Sequence, residues 1–141
     1  MRKLNLIVVF NKELDEGLFC IRAKEPYEGL YNFVGGKAEP GETDEEAAYR
    51  ELFEETGISK EDIKLDHFMD INYFKYENHL QVYYGILDHK VTLVEEKNKL
   101  EWVKLDDKML DCTKFAGNYN IPHIVRQIKV YLENGTGIDK Y

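Results

Sequence analysis

Cysteine is nearly absent from this sequence: Cys20 and Cys112 are the two present among 141 residues. Two thiols cannot build a disulfide framework, and these lack the paired spacing of a zinc site, so both are expected as small core residues in a reducing compartment. Long hydrophobic runs are missing too. After Met1-Arg2-Lys3 the apolar stretch covers only residues 4–10, contains Asn5, and gives way to Lys12, Glu13, Asp15 and Glu16. That is too short and too charged for a signal peptide or a membrane span, which makes a cytoplasmic location without a membrane partner the expectation. Positive charge is in deficit, since 19 Lys and Arg against 27 Asp and Glu leave a net charge of −8 with histidines neutral. Proteins that coat nucleic-acid polymers neutralise backbone phosphates with a cationic excess, so the balance argues against that partner class while leaving small phosphorylated ligands open.

What is present is an ordinary globular composition, 43% hydrophobic, 33% charged and 13% aromatic, in a chain suited to one domain over residues 1–141. No repeat, low-complexity run or linker interrupts it. Residues 4–10 and 18–23 read as strands around the turn 11–17, and a short apolar stretch covers 30–34 before Gly35-Gly36. Thr43 with Glu46 three residues on is a capping box, and Gly57 supplies the stop of the helix it opens. Ile63, Leu65, His67, Met69, Ile71 and Tyr73 alternate as one strand, Leu80, Val82, Tyr84 and Ile86 as the next, with 75–79 as the turn between them. Within that alternation His67 is expected as a satisfied core histidine. A short strand centres on Trp102 and Val103. Ile121, Ile124, Val125, Ile128 and Leu132 fall on one helical face, with Asn120 as N-cap, Pro122 in the first turn and Gly135 past the end. The whole reads as one α+β domain of several strands and two or three helices.

On the first helix, at about 100° per residue, Glu51, Glu54 and Glu55 share one edge while Ala48, Tyr49, Leu52 and Phe53 occupy the adjoining, core-directed arc. Two charges about 6 Å apart repel by roughly 3 kcal/mol at an effective dielectric near 20, so carboxylates clustered beside a core call for a cation. Oxygen-only ligands suit Mg²⁺ or Mn²⁺, which bind a few carboxylates together with substrate phosphates. A solvated acidic face is the alternative reading of the helix alone.

The surrounding string decides between them. Gly36, Glu42, Arg50, Glu51, Glu54, Glu55 and Gly57, with Leu52 and Ile58 at apolar positions, fill the pattern G-x5-E-x7-R-E-U-x-E-E-x-G-U, where U is bulky and apolar. A chance match is on the order of 10⁻⁸ per start position. The string resembles the Nudix box. The resemblance implies a mixed β-sheet held between helices, with the box as loop, helix and loop. It also implies divalent-cation-dependent hydrolysis of a phosphoanhydride by water attack at phosphorus. Carried over, Glu51 and Glu55 become metal ligands with the Gly36 carbonyl, and Glu54 a ligand or the base. Arg50 pairs with Glu42 to hold the box, and Gly57 ends the helix in a left-handed conformation. The family often has a further glutamate before a later strand, and Glu96, six residues before Trp102, is the choice over Glu95 and Glu101.

On the substrate side, Arg22, Lys24 and Lys37 are the basic residues nearest the loop, with Arg22 and Lys37 preferred as phosphate contacts. Asn32 lies in Leu30-Tyr31-Asn32-Phe33-Val34-Gly35-Gly36-Lys37, similar to a stretch of mammalian MutT-like hydrolases whose asparagine reads a purine edge, although Tyr31 and Phe33 depart from that pattern. Asn118, in the aromatic and amide segment 115–120, is the second candidate for base recognition, and His123 follows Pro122 without a visible partner. The expectation is a Mg²⁺-dependent, MutT-like nucleoside-triphosphate pyrophosphohydrolase acting on a purine such as an oxidised guanine nucleotide. The alternatives are a dinucleoside polyphosphate or nucleotide-sugar hydrolase, or a non-catalytic nucleotide-binding module.

Overall fold

The computed structural model describes residues 1–134. Its elements in chain order are β1 (Arg2–Asn11), β2 (Glu16–Ile21), β3 (Tyr31–Phe33), α1 (Asp44–Thr56), β4 (Asp66–Tyr73), β5 (Asn78–Leu87), β6 (Lys99–Lys104) and α2 (Asn120–Asn134). Single 3₁₀ turns at Phe74–Tyr76 and Asp107–Leu110 join the later ones. The run Leu6 to Phe10 is buried throughout, and a strand apolar on both faces has to be covered on both. Accordingly β1 lies inside a mixed sheet of order β3-β2-β1-β5-β4, with β6 pairing on β2. The β1–β5 pair is parallel from Arg2↔Asn78 to Asn11↔Leu87, whereas β4–β5 and β2–β6 are antiparallel.

Alternation then divides the core. Leu6, Val8, Phe10, Leu80 and Val82 face α2 through Ile121, Ile124, Val125 and Ile128. Ile7, Val9, Leu18, Val34 and Tyr83 face α1 through Ala48 and Leu52. The result is the α+β sandwich expected, a mixed sheet between two helices. On the edge of β1 opposite β5, the segment leading into α1 adds its own backbone pairing, with Ile7 N–H donating to Val34 O and Asn5 N–H to Gly36 O, each at 2.8 Å. The proposed metal-binding loop is thereby fastened to the centre of the sheet.

Several local expectations are corrected. Ile63 and Leu65 precede β4 and pack on the α1 side, while Met69, Ile71 and Tyr73 pack on the α2 side. A register shift between His67 and Met69 switches the face. His67 therefore lies exposed instead of in the core; it pairs with Asp70 and stacks on Tyr83 at 4.6 Å between centroids. Phe53 is 56% exposed, because nothing among the described residues covers that flank of α1. Cys20 is buried as expected, but Cys112 is exposed. The β4–β5 turn occupies Phe74–Tyr76 and Glu77, and β5 begins at Asn78. Asn120 is the first residue of α2 and not its cap. The stop expected at Gly135 lies outside the described residues.

Candidate functional site

The loop and helix that carry the glutamates are closed by local chemistry at both ends. Thr43 accepts from Glu46 N–H while the Glu46 carboxylate accepts from Thr43 N–H, a reciprocal capping box. At the other end Gly57 takes φ 80°, and its N–H donates to Phe53 O. That left-handed turn is open to glycine at no steric cost. Gly36 is required for a different reason: a Cβ there would lie 2.4 Å from the Glu51 carboxyl carbon.

Arg50 organises the interior of the loop. Its Nε and Nη2 donate to the two oxygens of Glu42 at 2.6 and 3.0 Å, a bidentate fork. Nη2 also donates to Lys37 O at 3.1 Å, so the guanidinium holds loop backbone as well as carboxylates. Nη1 donates to Glu51 Oε1 and Glu54 Oε2, both at 3.1 Å. The Arg50 fork holds Glu42 below the usual carboxylate range, and the same partners raise the guanidinium's own pKa.

Glu51 and Glu55 behave differently. Burial raises both, moving Glu55 up to about 7. The Gly35 N–H, which donates to Glu55 Oε2 at 3.1 Å, opposes the shift, while the charges of Glu51 and Glu96 add to it. Two carboxylates thus flank the Gly35-Gly36 backbone, and of the two only Glu51 has an ion-pair partner among the described residues, Arg50. That environment fits a hard divalent cation. Among the described residues no three His, Cys, Asp or Glu side chains are grouped so that they could hold a metal ion together, and Mg²⁺ does not need three, because it commonly keeps waters and takes one or two carboxylates plus substrate phosphates. The Gly36 carbonyl already accepts the Asn5 N–H, leaving its second lone pair for a ligand. Of the three later glutamates, Glu95 accepts from Leu100 N–H and Glu101 from the Tyr31 hydroxyl, whereas Glu96 lies within electrostatic reach of Glu55.

Asn5 carries no signal in the sequence beyond interrupting an apolar strand. Its Oδ1 accepts from Gly36 N–H at 2.9 Å, so its backbone and its side chain together clamp the glycine. Its Nδ2 is buried without a partner among the described residues. The next residue, Leu6, forms part of the wall of a cavity of about 550 Å³. Four amides line that cavity, Asn32, Asn78, Asn118 and Asn120, and so do four phenol rings, Tyr27, Tyr73, Tyr76 and Tyr119, with His123 beside them. No Lys, Arg, Asp or Glu is in its wall. A neutral cavity of rings and amides suits an aromatic ligand with a hydrogen-bonding edge.

Asn32 and Asn118, singled out from sequence, are brought together there. Asn32 Oδ1 is partly engaged by Phe33 N–H at 2.9 Å, and Asn118 Nδ2 reaches the Tyr27 hydroxyl at 3.4 Å. Asn120, assigned above to capping alone, has a buried Oδ1 with no hydrogen-bond partner among the described residues. Arg22 and Lys37 lie elsewhere. The charge of Arg22 acts on Glu55, whereas the Lys37 side chain is exposed on the loop. Tyr27 and Asn78 carry no signal in the sequence, and Asn120 reads there only as a cap, because the wall is gathered from segments far apart in the chain.

A family model described as the NUDIX domain matches residues 2–121. The NAD-capped RNA hydrolase of Saccharomyces cerevisiae is 32% identical over 131 residues, covering 82% of this chain and 32% of the yeast protein. An RNA pyrophosphohydrolase of Serratia proteamaculans is 54% identical over 35 residues, 25% of this chain and 20% of that protein. The chain thus spans 20–32% of the length of these curated relatives. A solved C. elegans Ap4A hydrolase binary complex superposes with a TM-score of 0.75 at 19% identity, covering 92% of this chain and 98% of that one, which shows a shared fold.

Proposed function

Because the chain belongs to the Nudix family, we propose that it is a Mg²⁺-dependent, MutT-like hydrolase that converts a nucleoside triphosphate and water to nucleoside monophosphate and pyrophosphate. The observation that carries this reading is the join between β1 and the box. Asn5 clamps Gly36 beside Glu51, and the adjacent Leu6 walls a neutral cavity able to hold a base.

Glu51 and Glu55, with Glu96 and the Gly36 carbonyl, are the groups that would hold the cation. When bound, Mg²⁺ supplies charge neutralisation of the phosphates and acidification of a water. The protein's own residues do the rest. Arg50 fixes the rotamers of Glu51 and Glu54 and acts as a positioning residue. Glu54, half-exposed beside them, is suited to accept the proton of the attacking water or to complete the metal shell. Arg22 and Lys37 contact phosphate. The amides of Asn32, Asn118 and Asn120 can each donate and accept, which fits a purine edge. Water forms the new P–O bond, the bridging P–O bond breaks, and pyrophosphate and the monophosphate leave.

The test is purified protein with Mg²⁺ and a panel of plain and oxidised nucleoside triphosphates, nucleotide sugars and diadenosine polyphosphates, with products separated by chromatography. Monophosphate and pyrophosphate in equal amounts from a triphosphate are expected. Preferred turnover of dinucleoside polyphosphates would replace this substrate class, and turnover of nothing would make the chain a binding module.

A further inference from the structure

Two buried amides hold the ends of segment 36–44 to adjacent positions of the sheet. Asn5 on β1 is the register partner of Gln81 on β5, and the two are 5% and 4% exposed. Alternation puts both on the face toward α1, with Ile7 and Tyr83. Gln81 Nε2 donates to Asp44 Oδ2 at 2.8 Å and so fastens the first residue of that helix. Asn5 fastens a glycine instead. Its N–H donates to Gly36 O at 2.8 Å and its Oδ1 accepts from Gly36 N–H at 2.9 Å, so both backbone polar groups of Gly36 are tied to one residue. The glycine in turn lies against Glu51, whose carboxyl carbon would stand 2.4 Å from a Cβ at this position, and the preceding Gly35 N–H donates to Glu55.

Packing does not explain the side chain of Asn5. Residues 6–10 after it are all buried and apolar, yet position 5 carries an amide whose Nδ2 is buried with no partner among the described residues. A buried donor left unpaired costs at least as much free energy as the hydrogen bond at the other end of the amide returns, so the fold gains little from it. The hold on Gly36 N–H is what the amide adds. We propose that Asn5 is a positioning residue for the divalent cation: it fixes the Gly36 peptide so that the carbonyl oxygen keeps its place relative to Glu51 and Glu55. The inference rests on the hydrolase reading above through its cation, and it gives a role to a residue outside the stretch that bears the glutamates. Partners that orient metal ligands typically carry about tenfold to hundredfold of the affinity.

Every Asn5 variant keeps the backbone bond to Gly36 O, so substitution isolates the side chain. Mg²⁺ is titrated calorimetrically into the full chain without nucleotide, and hydrogen exchange of the Gly36 N–H is followed by NMR in chelator. Asn5→Leu should weaken Mg²⁺ binding by about tenfold or more and speed exchange of that amide. Asn5→Asp, which keeps an acceptor at Oδ1, should restore both. Gln81→Leu is the control for an amide lost at the same depth: its unfolding midpoint should fall while Mg²⁺ affinity is kept. Asn5→Ser, too short to reach the Gly36 N–H, carries the expectation for Asn5→Leu should that variant not fold. Unchanged Mg²⁺ affinity in Asn5→Leu or Asn5→Ser overturns the proposal. So does an equal loss in Gln81→Leu, which would make both amides general supports of the fold, and so does an Asn5→Asp chain that folds but binds Mg²⁺ no better than Asn5→Leu. Nucleotide turnover is a separate matter. A hydrolase whose Mg²⁺ affinity is indifferent to Asn5 defeats the clamp alone, whereas an Asn5-dependent affinity in a chain that hydrolyses no nucleotide leaves the clamp standing and removes the substrate reading.

Discussion

The glutamate loop and the ring-and-amide cavity meet β1 at successive residues, Asn5 on the face toward α1 and Leu6 on the face toward α2, and are built on opposite plans. In the loop, Arg50 alone makes contacts with Glu42, Glu51, Glu54 and the Lys37 carbonyl, and the residues that matter fall within a single stretch, 36–58. Arg50 is fixed there by several bonds, so its substitution should be felt twice, in chemistry and in folding. The cavity instead collects residues from β1, β3, β4, β5, the connecting loops and the start of α2, and the Asn120 amide leaves a buried Oδ1 without a partner among the described residues. Polar groups left unpaired in a protein interior cost free energy, and a wall that bears that cost is set up for a ligand more than for stability. Catalysis should therefore depend on the loop's rigidity, and substrate choice on the cavity's incompleteness.

The sharpest way to break the comparison is Glu54→Gln. Its carboxylate is 48% exposed and contributes one bond to the Arg50 hub, so the fold should survive. Turnover should fall by about 10²–10⁴-fold if it serves as base, read from steady-state rates beside an unchanged circular dichroism spectrum. Near-native activity would take Glu54 out of the mechanism. Arg50→Lys comes next, because lysine keeps the charge but not the planar fork that grips Glu42 and the Lys37 carbonyl. A loss of roughly 2 kcal/mol of stability, with activity down on the order of 100-fold, is expected from thermal unfolding and kinetics. A variant with lower activity but unaltered unfolding would mean that the hub positions Glu51 and Glu54 without stabilising the loop.

The same contrast explains what could be read from the sequence. The box was legible down to Thr43, Glu46 and Gly57, because capping, helical spacing and a left-handed stop are all contacts between near neighbours in the chain. The strands were legible from the continuous apolar run on β1 and the alternation on β5, whereas the sheet between two helices came from the resemblance carried by the box. His67 failed because the register shift beside it resets which face the strand presents, and periodicity cannot foresee a bulge. Phe53 failed because a helical wheel gives an arc without saying how far the neighbouring layer extends. Asn120 sat where an N-cap belongs, but α2 starts one residue earlier than that rule requires, and the freed side chain turned out to line the cavity.

A pH series on metal-free protein tests the loop's electrostatics. Burial favours the protonated form of Glu55 in the fold, with its pKa raised from 4.5 to about 7. Above its ordinary pKa the unfolded chain releases this proton while the folded chain keeps it, so the Glu55 contribution to stability is full below pH 4.5 and is lost as pH rises through about 7. The effect should be about 2 kcal/mol, after discounting the full shift for remaining contact with water. Denaturant midpoints in chelator should fall over that window, and Glu55→Gln should flatten the trend. Adding Mg²⁺ should flatten it too, since a bound cation favours the ionised carboxylate. A slope unchanged by Glu55→Gln would assign the titration to another group.

The smallest predicted effect is the one that separates the two regions most cleanly. Asn120 Oδ1 is buried in the cavity wall with no partner among the described residues, so Asn120→Leu removes an unsatisfied acceptor while keeping a side chain of similar volume. If the amide is held for a ligand, the variant should gain about 1 kcal/mol in unfolding experiments. At the same time KM for the preferred nucleotide should rise about tenfold with little change in kcat, because a uniform binding contact is lost and no contact peculiar to the transition state. A loss of stability together with unchanged KM would make Asn120 a structural residue of the α2 entry and leave base recognition to Asn32 and Asn118. A fall in kcat at constant KM would instead tie the cavity wall to the loop's geometry, and the division between a rigid catalytic segment and an unfinished recognition wall would have to be abandoned.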